Sequence, residues 1–312
     1  MTPAAEVPLW VVGAGGLLGG AVARAARERG IPVLTARVPW SDPDAAVAAL
    51  TATAASLPTT GWRLAWCAGS GVVSSTTDHL DAEVGTLHRF LTGWRPQADA
   101  NRCGVFVASS AGGVYAGSAS PPFTENTEPV PISPYGAAKL RVEREFEQFA
   151  EARAVPLLVG RIANLYGPGQ DLGKGQGLVS LLCEAHLRHR PLSIYVPLDT
   201  RRDYLYVDDA AAMVLDGLDL LAERPGRRVR ILASGRPATV AELLGELRRV
   251  SRRRPPMILG SSPVAGMQAA DLRFRSVVWP ELDRQVRTPL AVGIAACLAA
   301  VDASLRCPQE GP

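Results

Sequence analysis

Lysine is nearly missing from this chain of 312 residues: Lys139 and Lys174 stand against 31 arginines. A bias of that size reads as genomic, so a lysine kept inside a motif carries weight. Cysteine is sparse too. Its five thiols, Cys67, Cys103, Cys183, Cys297 and Cys307, are odd in number and widely spaced, with no Cys-x-x-Cys pair. That excludes an obvious disulfide or zinc framework and points to reduced thiols in a cytoplasmic protein. The four histidines, His79, His88, His186 and His189, share no ligand spacing with cysteine or carboxylate, so no metal site is expected. No apolar run approaches the roughly 20 residues that a membrane span needs. The start, from Met1 to Glu6, has no basic segment of the kind that opens a secretory signal. Net charge is only +3. Arg252-Arg253-Arg254, with Arg248 and Arg249 before it, has no interleaved aromatics, so it reads as a solvated helix end rather than a nucleic-acid surface.

What is present is apolar and periodic. Hydrophobic residues make up 47% of the chain, enough for one or two domains with a large core. Leu9–Val12 is a short apolar run, followed by a helical stretch from Leu17 to Arg29 and a second strand from Ile31 to Thr35. This strand–turn–helix–strand order is a βαβ unit. Asp42 or Asp44 can cap a helix over Ala45–Ala55. Further strands fall at Arg63–Cys67, Gly104–Ala108 and Pro156–Arg161, with helices about Asp81–Leu91 and Tyr135–Arg153. The alternation predicts an α/β, Rossmann-type, doubly wound parallel sheet. After Gly169 the pattern changes to a glycine-rich loop at 173–177, a helix over 178–189 and a short strand near Ser193–Val196. The expected division is a dinucleotide-binding domain over 1–170 and a smaller α/β substrate domain over 171–312. Within the latter, about 200–235 is expected to return to the first domain, and the tail from Cys307 is expected to be loose.

The turn Gly13-Ala14-Gly15-Gly16-Leu17-Leu18-Gly19 follows a strand and opens a helix. It fits G-x-x-G-x-x-G but not G-x-G-x-x-G, because Leu18 occupies the third glycine place of the latter. Glycine here lets the backbone turn tightly and lets a pyrophosphate approach free N–H groups at a helix N-terminus. An NAD site usually has an acidic residue near the end of the second strand. Leu34-Thr35-Ala36-Arg37 has none, and Arg37 either binds the additional phosphate of NADP or is an ordinary surface arginine. The reading favours NADP over NAD. Trp40, in the same loop, either stacks on adenine or is a half-buried aromatic.

Tyr135 and Lys139 lie four residues apart, on one face of a helix. A free tyrosine, with a pKa of about 10, is a poor base at neutral pH. A nearby cation favours its phenolate. Ser133-Pro134 leads into the pair, and Val107-Ala108-Ser109-Ser110 ends a strand upstream.

Together these pieces resemble the extended short-chain dehydrogenase/reductase family, which includes nucleotide-sugar epimerases, dehydratases and ketoreductases. The matching segments are the three glycines, Ser109-Ser110-Ala111-Gly112-Gly113-Val114-Tyr115, Ser133 to Lys139, Arg161 to Gly169, Arg202 to Asp209, and Leu232 to Gly235. The resemblance implies that Tyr135 is the acid/base, with Lys139 as its partner and ribose ligand. It implies a cofactor along Gly13, Gly16, Leu17, Gly19, Arg37, Ala68 and Lys139. A nucleotide sugar would meet Ser109, Asn164, Leu178 beside Gly177, Arg202 and, less directly, Arg273 or Arg275. For Arg202 the plain alternative is a salt bridge to Asp203, Asp208 or Asp209, and for Asn164 it is a turn-capping amide. A homodimer is implied as well.

Two departures matter. Family members usually carry Ser or Thr three residues before the Val-Tyr pair, and here that place is Ala111. Either Ser110 (or Ser109) reaches the site, or the hydroxyl is missing. One such donor is worth on the order of 10²-fold in rate, and Ser110 is the expected substitute. The 4,6-dehydratases carry an Asp-Glu pair where this chain has Gly112 and Gly113, which disfavours dehydration. The expected activity is 4-keto reduction of a dTDP- or UDP-(deoxy)hexose with Tyr135 as proton donor. The alternatives are a 4-epimerase holding NAD, a sugar-acid decarboxylase, or a non-catalytic dinucleotide-binding sensor or scaffold.

Overall fold

Leu9 and Val11 face one side of their strand, Trp10 and Val12 the other, and all four are buried. A strand that is apolar on both faces belongs inside a sheet covered on both sides. In the computed structural model, which describes residues 7–253, 257–260 and 269–306, that is its position. Arg254 and the tail from Cys307 lie outside the described residues.

The large sheet is built from β1 (Leu9–Val12), β2 (Val33–Thr35), β3 (Trp62–Trp66), β4 (Cys103–Ser110), β5 (Leu157–Ile162) and, much later, β9 (Arg227–Leu232). Its order is β2-β1-β3-β4-β5-β9 and every pair is parallel. The helices α1 (Leu17–Glu28) and α7 (Val207–Glu223) cover one face, closing on Leu9, Val11 and Phe106. The opposite face carries α2 (Pro43–Ala55), α3 (Thr77–Gly93) and α5 (Pro134–Arg153). That second core holds four of the six tryptophans, with Trp94 stacked on Phe149 at 4.9 Å and Trp10 edge-on to Phe90 at 6.0 Å. Such pairs contribute about 0.5–1.5 kcal/mol each beyond their burial.

The connection after β1 runs to β2 on one side, and the chain then crosses to β3 on the other. This reversal leaves a crevice at the carboxyl ends of β1 and β3, the place where doubly wound sheets bind ligands. A one-turn helix, α4 (Ala111–Val114), follows β4 there.

The remaining elements make a smaller unit. β6 (Asn164–Tyr166) pairs in parallel with β8 (Arg201–Tyr206), so the chain has left the large sheet before residue 171. α6 (Leu178–Leu187), β7 (Leu192–Ile194), β10 (Pro237–Thr239), α8 (Val240–Ser251), β11 (Met257–Leu259), β12 (Asp271–Leu272) and α9 (Leu290–Arg306) complete it. Its core includes Leu182, Cys183, Leu243, Leu247, Ile294 and Cys297. The return to the large sheet runs through α7 and β9. Trp279 and Leu282 pack into the large-sheet core beside α1 and α7. Among the described residues no helix is long and apolar enough to cross a membrane.

Candidate active site

The glycine turn shows why each position is small. Gly13 has φ +87°, and a Cβ there would lie 2.7 Å from the backbone nitrogen of Ala68, at the end of β3. A Cβ on Gly19 would run into the carbonyl of Gly13. Gly16 differs, because only the Gly13 oxygen lies near, at 3.4 Å. It caps α1 without a side-chain hydrogen bond, and no acidic residue sits in the helix's first turn. Free N–H groups and the helix dipole are therefore left for an anion.

In front of this turn lies a cavity of about 770 Å³, lined by Gly13, Gly16, Arg37, Trp40, Cys67, Ala68 and Glu83 among others. Its size and mainly apolar wall suit a dinucleotide. Arg37 is exposed and makes no ion pair among the described residues, and Trp40 stands edge-on to Trp66 at 6.1 Å. Burial pushes the Cys67 thiol up to about 12, so it sits in this wall as a neutral group. Glu83 went unread in the sequence, where nothing marks it. Its carboxylate accepts the Ser70 N–H at 2.9 Å and the Ser70 hydroxyl at 3.2 Å, which fixes the turn after β3. The hydroxyl also meets His79 Nε2 at 2.8 Å.

Tyr135 enters the site because α5 starts where it does. Ser133 caps the helix by accepting the Gly136 N–H at 3.2 Å, and Pro134 occupies its first turn. A Cβ on Gly136 would overlap the Gly113 carbonyl, so the helix end presses directly on α4. The Tyr135 ring lies over Gly113, where a Cβ would be 3.1 Å from its Cε1. Lys139 Nζ is 5.6 Å from the ring centroid and adjoins Gly69.

Ser110 lines a smaller, adjoining cavity together with this pair, whereas Ala111 is fully buried among Val114, Tyr115 and Phe274. The Ser110 hydroxyl accepts the Gly113 N–H at 3.1 Å, and its own proton has no acceptor among the described residues. Ser109 is oriented otherwise. Its hydroxyl donates to buried Glu143 at 2.5 Å, while the residue itself borders the same cavity as Ser110. Glu143 also receives Arg161 at 2.7 Å, and Arg161 donates to the Tyr115 hydroxyl at 2.7 Å. Burial alone would lower the Arg161 pKa, but its bonds to Glu143 outweigh that and raise it.

A second cavity of about 430 Å³ shares Gly16, Ala68 and Gly69 with the first and continues past Tyr135, Lys139 and Leu17 to Asn164, Gln170, Leu178 and Tyr204. Asn164, on β6, and Leu178, in the first turn of α6, thus line this second cavity. Arg202 and Arg273 do not line either cavity. Arg202 is buried, with one bond to the Arg201 carbonyl at 2.9 Å, and Arg273 is paired with Asp271 at 2.8 Å. None of the three salt bridges considered for Arg202 forms. Asp203 accepts the N–H groups of Ser234 and Gly235, Asp208 pairs with Arg24, and Asp209 holds Thr288.

Over residues 9–231 the sequence matches the NAD dependent epimerase/dehydratase family. The chain belongs to that family. Its motifs are those of the extended short-chain dehydrogenases/reductases. It is 27% identical over 203 residues to an uncharacterized UDP-glucose epimerase of Bacillus subtilis, covering 63% of this chain and 60% of that protein. With the dTDP-4-dehydro-6-deoxyglucose reductase of Escherichia coli it shares 27% identity over 119 residues, 38% of each. The chain therefore spans less than two thirds of these relatives. The crystal structure of a UDP-glucose 4-epimerase from Thermotoga maritima with UDP-glucose superposes with a TM-score of 0.79 at 22% identity, over 96% of this chain and 100% of that one. At that identity the likeness is one of fold. The family is one of enzymes acting on nucleotide sugars with a nicotinamide cofactor.

Proposed function

We propose that the protein reduces the 4-keto group of a dTDP- or UDP-(deoxy)hexose, with NADPH as the donor. The observation that carries this reading is the end of the larger cavity beside β2. Arg37 makes no ion pair there among the described residues, and Leu34 to Arg37 holds no carboxylate, so a phosphate on the adenosine ribose meets a cation where an NAD site would present an acid. Net reduction usually draws on NADPH.

The residues present fit the cofactor: Gly16 and the uncapped start of α1 suit its pyrophosphate, and Lys139 suits the nicotinamide ribose. When held there, a reduced nicotinamide would supply the hydride that the carbonyl carbon takes up. Tyr135 gives its phenolic proton to the oxygen that gains charge, and Ser110 directs its free O–H to the same oxygen. Proton transfer of this kind contributes about 10²–10⁴-fold. Gly112 and Gly113 offer no side chain beside Tyr135. Asp171, a carboxylate of the smaller cavity, caps a turn by accepting the Gly173 N–H at 2.9 Å. Elimination of water is therefore unsupported.

The names of several relatives favour a second reading, a 4-epimerase that keeps NAD bound. The test is to incubate the purified protein with NADPH or NADH and a panel of nucleotide 4-keto-sugars. The expected result is oxidation of the reduced cofactor, faster with NADPH, and its loss in Tyr135→Phe. No oxidation with any sugar, together with NAD carried through purification, overturns the reductase in favour of the epimerase. Full function in Tyr135→Phe would instead indicate a binding module.

A further inference from the structure

β7 and β11 pair in parallel, with Leu192 beside Met257 and Ser193 beside Ile258. In a parallel pair the segments that lead into the two strands lie at the same end. One of them is Arg188-His189-Arg190, at the end of α6, and the other is Arg252-Arg253, at the end of α8. The fold therefore joins two basic segments that are far apart in the chain. Each turns through a left-handed residue, His189 at φ +53° and Arg252 at φ +57°, where glycine is the favoured choice. His186, buried in the last turn of α6, feels both segments: burial lowers its pKa, and so do His189 and Arg253.

The charge gathered there is not compensated. Glu184 takes up Arg188, and Glu246 takes up Arg249. Arg190, Arg248, Arg252 and Arg253 are exposed and make no ion pair among the described residues. A helix dipole favours a cation or two at each C-terminus, but it does not call for four without partners. Beside them, the outer face of the strand pair carries large apolar side chains. Ile194 is buried in the core of the smaller unit, so Ser193 and Tyr195 turn outward, and Ile258, paired with Ser193, turns outward with them. Ile258 is 53% exposed and Tyr195 47%. None of these residues lines either cavity, and the patch lies at the far end of α6 from the substrate wall, about 15 Å along the helix.

Charge complementarity commits this face to an anionic partner. The exposed Ile258 narrows the choice, because a nucleic acid would neutralise the arginines and leave that side chain in water. A lipid interface offers phosphates to the cations and an apolar layer just beneath them, and tyrosine is favoured at that boundary. We propose that Arg190, Arg248, Arg252 and Arg253, with Ile258 and Tyr195, dock the protein on an anionic phospholipid surface.

The test sediments the full chain with vesicles of phosphatidylcholine alone and of phosphatidylcholine mixed with phosphatidylglycerol. The expected result is binding to the mixed vesicles only, weakened in about 0.5 M salt. A protein carrying both Arg190→Gln and Arg253→Gln is expected to bind about 25-fold more weakly, about fivefold for each arginine near the surface. Ile258→Ser is expected to weaken binding several-fold and to leave its salt dependence in place. NADPH affinity and melting temperature should match the wild type in each case. If the double variant melts lower, Arg248→Gln takes its place, with an expected loss of about fivefold. No binding to the mixed vesicles overturns the proposal, and so does equal binding to both vesicle types or full binding by the arginine variants. Binding of an RNA or DNA oligonucleotide without vesicle binding overturns it in favour of a nucleic-acid surface. Dimers abolished by Ile258→Ser, again without vesicle binding, overturn it in favour of a second copy of the chain.

Discussion

A methyl group added at Gly19 would overlap the Gly13 carbonyl, although the site is an ordinary helix position where alanine normally gains about 1 kcal/mol over glycine. The obstacle is backbone and cannot move aside like a side chain. Gly19→Ala is therefore expected to destabilise the protein by about 1–3 kcal/mol, seen as a lower urea midpoint with an unchanged slope. Gly16→Ala is expected to do the opposite. Nothing in the protein closely opposes its methyl group, so stability should hold within about 0.5 kcal/mol. The methyl would stand where a pyrophosphate approaches α1, and NADPH affinity should fall at least about tenfold. Normal affinity in Gly16→Ala would remove the helix start from the cofactor site. These glycines were legible because a local strand–turn–helix pattern needs them. Glu83 was not, because it reaches the turn after β3 from another helix. Arg202 was legible as a cation, but its burial away from both cavities depends on packing between distant elements.

At the scale of elements, the position of α5 decides whether Tyr135 and Lys139 face the cavity. Its start is set locally by Ser133 and Pro134, which the sequence shows plainly. Its docking is set by Glu143, one turn beyond Lys139, whose carboxylate is 3% exposed and holds Arg161 of β5 and Ser109 of β4 together. Sequence alone marks Glu143 as one more polar residue of an amphipathic helix. Removing one partner of a buried ion pair leaves the other charge uncompensated, which costs about 3–5 kcal/mol. Glu143→Gln is expected to lose that much in chemical denaturation. Turnover should fall even below its melting range, because α5 would no longer be fixed against β4 and β5. A Glu143→Gln protein within about 0.5 kcal/mol of wild type would show that the apolar packing of Phe146 and Phe149 suffices. The strands and helices of the large sheet were readable from period and glycine punctuation. Less readable was the early departure of β6, since Asn164-Leu165-Tyr166 follows β5 with almost no break and only its pairing with β8 assigns it.

Across the whole molecule, the smaller unit is fastened to the larger one by the chain's repeated crossings between them. β8 contributes Leu205 to one core and Tyr204 to the other, and α7 follows it directly into the large sheet. Asp209, near the start of α7, ties down the approach to α9. It accepts the N–H of Arg287 at 3.1 Å, the N–H of Thr288 at 2.9 Å and the Thr288 hydroxyl at 2.9 Å. α9 begins two residues later and buries Ile294, Cys297 and Val301 in the core that holds Leu182 and Cys183 of α6. The first turn of α6 lines the substrate cavity, so a chain of contacts runs from Asp209 to that wall. Toward the cofactor cavity the link is α7 itself, which packs on α1 and pairs Asp208 with Arg24, and those contacts do not use the Asp209 carboxylate. Asp209→Ala leaves three donors without their acceptor and is expected to cost about 2–4 kcal/mol. Its ligand profile should be asymmetric, with UDP or dTDP affinity reduced several-fold more than NADPH affinity when both are titrated well below the melting temperature. An equal loss for both ligands would mean that the two units loosen together and that α9 does not specifically support the substrate wall.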